Sequence, residues 1–369
     1  MKITDLTVTL FSWPDIPATT YGRHTGRFSG ESQLGLVTLS SDQGLEGHAF
    51  LGSAMRGANF DAQGLVHYLK PIVLGQDPLD RERLYQALWQ RNRTATIRAI
   101  GAVDVALWDL CGKIAGLPIH KLLGSYRDRV PAYASSAVLP SAEAYAEEAA
   151  KFKGQGWTAY KIHPPTEPAT DIRVCEAVRR SVGDGFTVML DSTWAYRYPE
   201  ALRVGHAIEG LGFHWYEDPL ADDDLYNYVK LKQQLRIPIL ATEYAPGGFT
   251  AFAPWITAHA TDYLRGDVAV KGGITPLVKA AHLAEGFHMN FELHHGGNSL
   301  NNVANVHVIM AIKNCEFFEV LLPSAAQKYG LAEDIEVDHL GLVHAINGPG
   351  LGANIDFELI RRRTVSVLR

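Results

Sequence analysis

The sequence predicts an α/β fold: an eight-stranded parallel barrel preceded by a smaller α+β module. Three observations predict it. From about residue 130, eight short apolar runs alternate with amphipathic helical stretches. That is the pattern of parallel strands joined by crossover helices, and eight is the number that closes a barrel. The first 124 residues differ in texture, strand-like at first and helical later. Finally, 369 residues exceed the roughly 250 that a barrel takes, which leaves room for a companion module. The expected division is a module over residues 1–125, a barrel over 126–340, and a closing segment over 341–369 that returns to the first module.

Residues 1–10 alternate polar and apolar side chains and read as a first β-strand, not as a signal peptide. A second strand over 34–39 ends in the turn signal Ser41-Asp42-Gln43-Gly44. Between them lies a Gly-rich, charged loop over 21–30. Its Tyr21, Arg23, His24 and Arg27 are candidates for holding substrate hydroxyls or a distal anion. Ala102, Val103, Ala106, Leu107 and Leu110 then share one helical face. Barrel strands are expected at 130–138, 159–163, 187–191, 214–217, 239–243, 263–267, 289–294 and 317–321, with helices such as 142–152 and 171–182 between them. A doubly wound nucleotide-binding sheet is the competing fold. It is disfavoured because no G-x-G-x-x-G follows a strand and no phosphate-binding G-x-x-x-x-G-K-[ST] occurs.

The net charge is −6, and the one dense basic run, Arg361-Arg362-Arg363, reads as a solvated helix end, so nucleic acid is not an expected partner. Cys111, Cys175 and Cys315 are too few and too scattered for a disulfide framework or a zinc knuckle, and suit a reducing compartment. No apolar run approaches the roughly 20 residues of a membrane span. The expectation is a cytoplasmic homo-oligomer acting on a small carboxylic acid, with no membrane partner.

The chemistry is carried by the strand ends. Val188-Met189-Leu190 stops at Asp191, Trp215-Tyr216 stops at Glu217, and Ile239-Leu240-Ala241 leads through Thr242 to Glu243. Each step is 26 residues, about one βα unit. Three carboxylates therefore converge on the C-terminal rim, where barrel active sites sit. One acid at a strand end is an ordinary helix cap. Three in phase, all oxygen donors with no His or Cys among them, suit a hard cation such as Mg²⁺. Alternation puts Ala159, Lys161 and His163 on one face, and a lysine in a barrel lumen is costly unless paired. Asp267 ends the sixth strand, and the seventh directs Asn290, Glu292 and His294 inward. An Asp–His pair on adjacent strands fixes the imidazole tautomer and raises its basicity. His295 stands as the alternate base, and Glu319 ends the eighth strand within reach of a substrate oxygen.

These pieces occur in one order: Ala102-Val103-Asp104-Val105-Ala106-Leu107-Trp108-Asp109, Gly112-Lys113, Gly116-Leu117-Pro118, Leu122-Leu123-Gly124, Lys161-Ile162-His163, Asp191, Glu217-Asp218-Pro219, Glu243, Asp267, Gly272-Gly273-Ile274-Thr275 and the His294 region. In that order and spacing the chain resembles the enolase superfamily, specifically its mandelate racemase subgroup, over nearly its whole length. The resemblance implies an N-terminal capping domain on a (β/α)₇β barrel. It also implies Mg²⁺ on Asp191, Glu217 and Glu243, and an Asp267–His base on one side of the substrate. Two departures stand out. The family's second-strand motif is commonly Lys-x-Lys, and here the second position is His163, which leaves base, general acid or substrate contact open. The family's spacing from Gly286 lands near Glu292, so a short insertion is needed to bring His294 into register.

Abstracting the proton α to a carboxylate requires stabilising the enediolate, and a bound divalent cation supplies that electrostatic stabilisation. Lys161 adds positive charge beside a carboxylate oxygen, and Glu319, if its crowded surroundings keep it protonated, donates a hydrogen bond there. The expected outcome is dehydration of a polyhydroxy acid, an aldonate or aldarate, to a 2-keto-3-deoxy acid. Racemisation or epimerisation of a 2-hydroxy acid and cycloisomerisation are the enzymatic alternatives. A catalytically silent binding barrel is the alternative from another class. A barrel fold decides among none of these.

Overall fold

A computed structural model describes residues 1–369, the whole chain. Strands β1 (Ile3–Thr19), β2 (Phe28–Ser41) and β3 (Glu46–Leu51) pair antiparallel. In β1 the alternating apolar residues Leu6, Val8 and Leu10 are buried. Both of the first two strands run longer than the sequence pattern suggests. The expected loop over 21–30 shrinks accordingly, because β2 already begins at Phe28. Pro14 and Pro17 fit within β1 because the β1–β2 register slips on both sides of Ile16.

The helix Ile97–Ala115 joins this sheet to the barrel. Thr96 caps it, its hydroxyl accepting the Ala99 N–H at 3.2 Å, and Gly116 closes it at φ 65°. The predicted face of Ala102, Val103, Ala106, Leu107 and Leu110 is buried, but so are Ile100 and Val105. A helix that is buried nearly all round lies between two layers. Gly101 permits the closest approach to the barrel: a Cβ there would stand 2.4 Å from the Val268 carbonyl oxygen.

The barrel strands are β4 (Arg129–Ser135), β5 (Ala159–Ile162), β6 (Thr187–Asp191), β7 (Tyr216–Glu217), β8 (Ile239–Ala241), β9 (Tyr263–Gly266), β10 (Asn290–Leu293) and β11 (Phe318–Leu321). All eight predicted strands are present, several of them trimmed at their ends. Their order is β10-β9-β8-β7-β6-β5-β4-β11, every neighbouring pair parallel, and a helix follows each of the first seven. This is a (β/α)₇β barrel with an antiparallel-sheet module on it. No ladder joins β10 to β11. The carboxylate of Glu292 clasps that seam instead, accepting the Glu316 N–H at 2.9 Å and the Phe317 N–H at 3.4 Å.

Tyr133, Ala159, Met189, Trp215 and Leu240 fill one layer of the lumen. Alternation then lifts Lys161, Asp191 and Glu217 into the layer above. On β8 the alternation has to break, since Glu243 lies three residues beyond the inward Leu240. Thr242 makes the break at φ 88°, a conformation rare for a β-branched residue. Its hydroxyl holds the turned backbone by accepting the Arg265 N–H at 3.0 Å and donating to the Arg265 carbonyl at 3.1 Å.

In the closing segment, β12 (Leu342–His344) pairs antiparallel with β4. The helix Phe357–Arg363 follows, ending in the exposed run Arg361–Arg363, and β13 (Thr364–Leu368) pairs antiparallel with β1. All three cysteines are buried and free. No helix is long and apolar enough to cross a membrane.

Candidate active site

A cavity of about 460 Å³ lies between the N-terminal module and the C-terminal rim of the barrel. Its barrel side carries His163, Asp191, Asp218, Asp222, Glu243, Asp267, His294 and Glu319, and the other side carries Tyr21, His24, Met55, Arg56 and Arg98. Lys161, Glu217 and Arg265 lie beneath the floor with no exposure at all. The backbone around the rim is strained in a consistent way. Thr166 (φ 64°), Thr193 (φ 45°), Trp194 (φ 50°), Asp218 (φ 39°) and Thr242 (φ 88°) all follow strand ends. Non-glycine residues held at positive φ cluster where function requires a fixed geometry.

Asp191 and Glu217 are register partners on β6 and β7. The Lys161 ammonium stands 3.2 Å from Asp191 Oδ2, 2.9 Å from Glu217 Oε1 and 2.8 Å from Glu319 Oε1. Arg265, which the sequence reading passed over, is the second buried cation. Its Nε lies 2.6 Å from Glu217 Oε1 and 3.2 Å from Glu243 Oε2, and its Nη2 lies 2.5 Å from Glu319 Oε2. The signal for it was present: it stands two residues before Asp267 and so shares that residue's inward face.

As these side chains stand, no three acids or histidines converge on one point, because the two cations lie between the carboxylates. The donor set still fits a hard divalent ion. Four carboxylates (Asp191, Glu217, Glu243 and Glu319) crowd around two permanent cations. Burial pushes the Glu217 carboxyl up to about 8 against the pull of Arg265, with Asp191 adding to the rise. Asp218 is buried as well, and its Oδ1 has no partner. Oxygen donors under mutual repulsion are what Mg²⁺ relieves.

The two candidate histidines of the seventh strand separate clearly. His294 lines the cavity, and its Nδ1 lies 2.5 Å from Asp267 Oδ2. Burial opposes its protonation, but Glu243 and Asp267 raise the imidazole to about 9. His295 faces away, its ring 4.1 Å from that of Phe318, with both ring nitrogens buried and without partners. Only its N–H meets the site, donating to Glu319 at 3.1 Å. Burial presses His295 down to about 3. His163 is tied on both sides: Nδ1 is 2.7 Å from the Ser136 carbonyl oxygen, and Nε2 is 2.8 Å from Asp191.

Two expectations are corrected. Glu319 is not kept protonated by crowding. Burial does oppose its charge, but Lys161 and Arg265 outweigh burial and hold it ionised. Of the loop residues, Tyr21 and His24 line the cavity, whereas Arg23 and Arg27 do not. Arg23 instead donates to the Ala195 carbonyl across the domain boundary, and Arg27 is exposed. The guanidinium groups that do face the cavity are Arg56 and Arg98, neither of which the sequence reading singled out.

The model of the enolase C-terminal domain-like family matches residues 144–359, and that of the mandelate racemase/muconate lactonizing enzyme N-terminal domain matches residues 13–124. The chain belongs to the mandelate racemase/muconate lactonizing enzyme family of the enolase superfamily. Among members of the family, arabinonate dehydratase of Saccharolobus solfataricus is 30% identical over 306 residues, 78% of this chain and 79% of that protein. L-talarate/galactarate dehydratase of Salmonella typhimurium is 32% identical over 279 residues, 70% of this chain and 67% of that protein. The crystal structure of D-glucarate dehydratase from Agrobacterium tumefaciens complexed with magnesium superposes with a TM-score of 0.86. It is 35% identical and covers 99% of this chain and 100% of that one. The enolase superfamily thus supplies both the fold seen here and, in these relatives, dehydratase activity.

Proposed function

We propose that this protein is a Mg²⁺-dependent dehydratase that converts a polyhydroxy acid to a 2-keto-3-deoxy acid. The observation that carries the reading is the asymmetry of the two cavity histidines. His294 is backed by Asp267 and keeps Nε2 toward the cavity, 3.4 Å from Glu243 Oε1. His163 is held at both ring nitrogens. One side of the cavity therefore carries a base, and the other carries a fixed polar contact. A racemase needs a competent base on each face, whereas an elimination needs one. Three dehydratases among the relatives support the same choice.

Asp191, Glu217 and Glu243 would hold the divalent ion, which when bound supplies electrostatic stabilisation of negative charge developing on the substrate carboxylate. His294 in its neutral form takes the proton from C2, and Asp267 stabilises the imidazolium that forms; with the imidazole raised to about 9, that neutral form grows as pH rises. The C3–O bond then breaks. The proton on His294 is within the cavity for the departing hydroxide, and the enol left behind becomes the 2-keto acid when C3 takes a proton. Lys161 and Arg265, beneath the floor, hold Glu217 and Glu319 in place and keep Glu319 ionised. His163, fixed between the Ser136 carbonyl and Asp191, takes no proton from C2.

The test is turnover of an acid-sugar panel in D₂O with Mg²⁺ present. The expected product is a 2-keto acid labelled at C3, with recovered substrate unchanged at C2, and His294→Asn should abolish both product and exchange. Recovered substrate inverted at C2 with no keto acid formed would instead show a two-base racemase using His163.

A further inference from the structure

The barrel sheet runs the long way round from β10 to β11, and the seam between those two strands has no ladder. β10 runs into His294, and β11 carries Glu319. The base and a carboxylate that line the same cavity therefore stand on opposite sides of the one break in the barrel. Backbone ladders fix every other neighbouring pair of strands.

Side chains close this seam at two heights. Near the rim, Glu319 accepts the His295 N–H at 3.1 Å. Lower down, Glu292 does the reverse. Its carboxylate, on β10, accepts the Glu316 N–H at 2.9 and 3.2 Å and the Phe317 N–H at 3.4 Å, just before β11. On the β10 side, residues 292 and 295 are separated by roughly 10 Å of extended chain. One backbone bond also crosses, from the Phe291 N–H to the Asn314 carbonyl at 2.7 Å. Glu292 is 1% exposed. Besides the two amides, Asn290 Nδ2 donates to it at 3.2 Å and the Cys315 thiol at 3.4 Å. An amide in its place would set N–H against N–H.

The upper clasp does not fix β10 by itself. Glu319 is drawn to Lys161 on β5 and to Arg265 on β9, so its place is set from strands other than β10. The distance from His294 to Glu319 is left to the lower clasp. We propose that Glu292 is a positioning residue for the reaction: it closes the seam and so sets the His294 imidazole against the Glu319 carboxylate. Glu292 does not itself line the cavity. A misplacement of about 1 Å in such a pair costs on the order of 10²-fold in rate.

The test compares the unaltered chain with Glu292→Gln, both Mg²⁺-loaded. It is run at about pH 8.5, above the value of about 7 to which burial pushes this carboxyl. Residue-resolved hydrogen exchange should speed at the Glu316 and Phe317 amides. It should also speed on the order of tenfold or more at the His295 amide, at the other end of the seam, while β6 and β7 keep their protection. With the acid sugar that the D₂O panel identifies, kcat should fall on the order of tenfold or more, with KM and Mg²⁺ affinity little changed. An unchanged His295 amide overturns the proposal, and so does an unchanged kcat. Faster exchange throughout the barrel also overturns it, because Glu292 would then only support the fold. Should the glutamine variant fail to fold, Glu292→Asp, which keeps the charge and withdraws it by one methylene, is read in the same way. The kinetic arm rests on the dehydratase reading above, and the exchange arm does not. Absence of keto acid from every sugar would sink that reading and leave the exchange at His295 to decide the seam.

Discussion

Two buried polar clusters in this molecule contain similar residues and do opposite things. One is the rim of the barrel. The other is the seam where the helix Ile97–Ala115 meets the sheet and the barrel. At the seam each carboxylate is satisfied by backbone. Asp104 accepts the Thr275 N–H at 2.9 Å and its hydroxyl at 2.6 Å. Asp109 accepts the N–H groups of His48 and Leu351, each at 2.8 Å, with Lys113 Nζ at 2.7 Å. Backbone donors from segments far apart in sequence meet on one side chain, so these acids are staples. At the rim the carboxylates are met mainly by other side chains, Lys161 and Arg265, and four carboxylates share those two cations. Ser192 Oγ, Thr193 Oγ1 and Asp218 Oδ1 are buried there without partners. A cluster satisfied by backbone can only hold the fold together. A cluster with crowded carboxylates and unspent polar atoms is prepared for a ligand.

The contrast can be broken in four ways. The largest effect belongs to Glu217→Gln, which removes a carboxylate from the rim while keeping the shape. Activity should fall by at least about 10³-fold with loss of Mg²⁺ affinity, while the thermal midpoint stays close to that of the unaltered chain. A midpoint that collapses would mean the rim is structural after all. Next comes Arg265→Met. Leaving Glu217, Glu243 and Glu319 without this buried cation should destabilise the metal-free protein by about 3–5 kcal/mol, and added Mg²⁺ should raise its midpoint more than it raises that of the unaltered protein. An equal or smaller Mg²⁺-induced shift would remove Arg265 from the charge balance.

Asp109→Ala tests the seam. It strands two N–H groups and a partly solvated lysine, at a cost of about 2–3 kcal/mol. Denaturant titration should register this loss, while kcat/KM of the folded fraction changes little. A large loss of activity at full stability would contradict the staple.

The smallest effect is a pH dependence. Burial presses the His48 imidazole down to about 4, with the nearby Lys113 charge adding to the depression. In the unfolded chain it titrates near 6.5, so as pH falls the unfolded state takes the proton first. The contribution of a neutral His48 is therefore complete above pH 6.5 and is lost as pH falls toward 4. His48→Gln should flatten the decline of stability across that window. An unchanged slope would place the acid sensitivity elsewhere.

Much of the architecture was legible because its causes are local. A period of two along each strand, a repeat of one βα unit, and acids at three successive strand ends are properties of short windows. They located the eight barrel strands and brought Asp191, Glu217 and Glu243 to one rim before any distance was known. Arg265 was equally legible, since alternation from Asp267 puts it on the same inward face.

What the tertiary structure alone decided concerns partners far apart in the chain. His294 and His295 are adjacent in sequence; alternation directed His294 inward, and only the tertiary structure sets Asp267 beside His294 and Phe318 beside His295. The charge on Glu319 depends on Lys161 and Arg265, which arrive from two other strands, so its ionisation was not readable from its own neighbours. Arg23 and Arg27 sit in a loop rich in charge yet fall outside the cavity, while Arg98 enters it from the first turn of the helix Ile97–Ala115. Charge and periodicity are written along the chain. Which charges meet is set by how helix and barrel pack, and electrostatic coupling depends on that distance rather than on sequence separation.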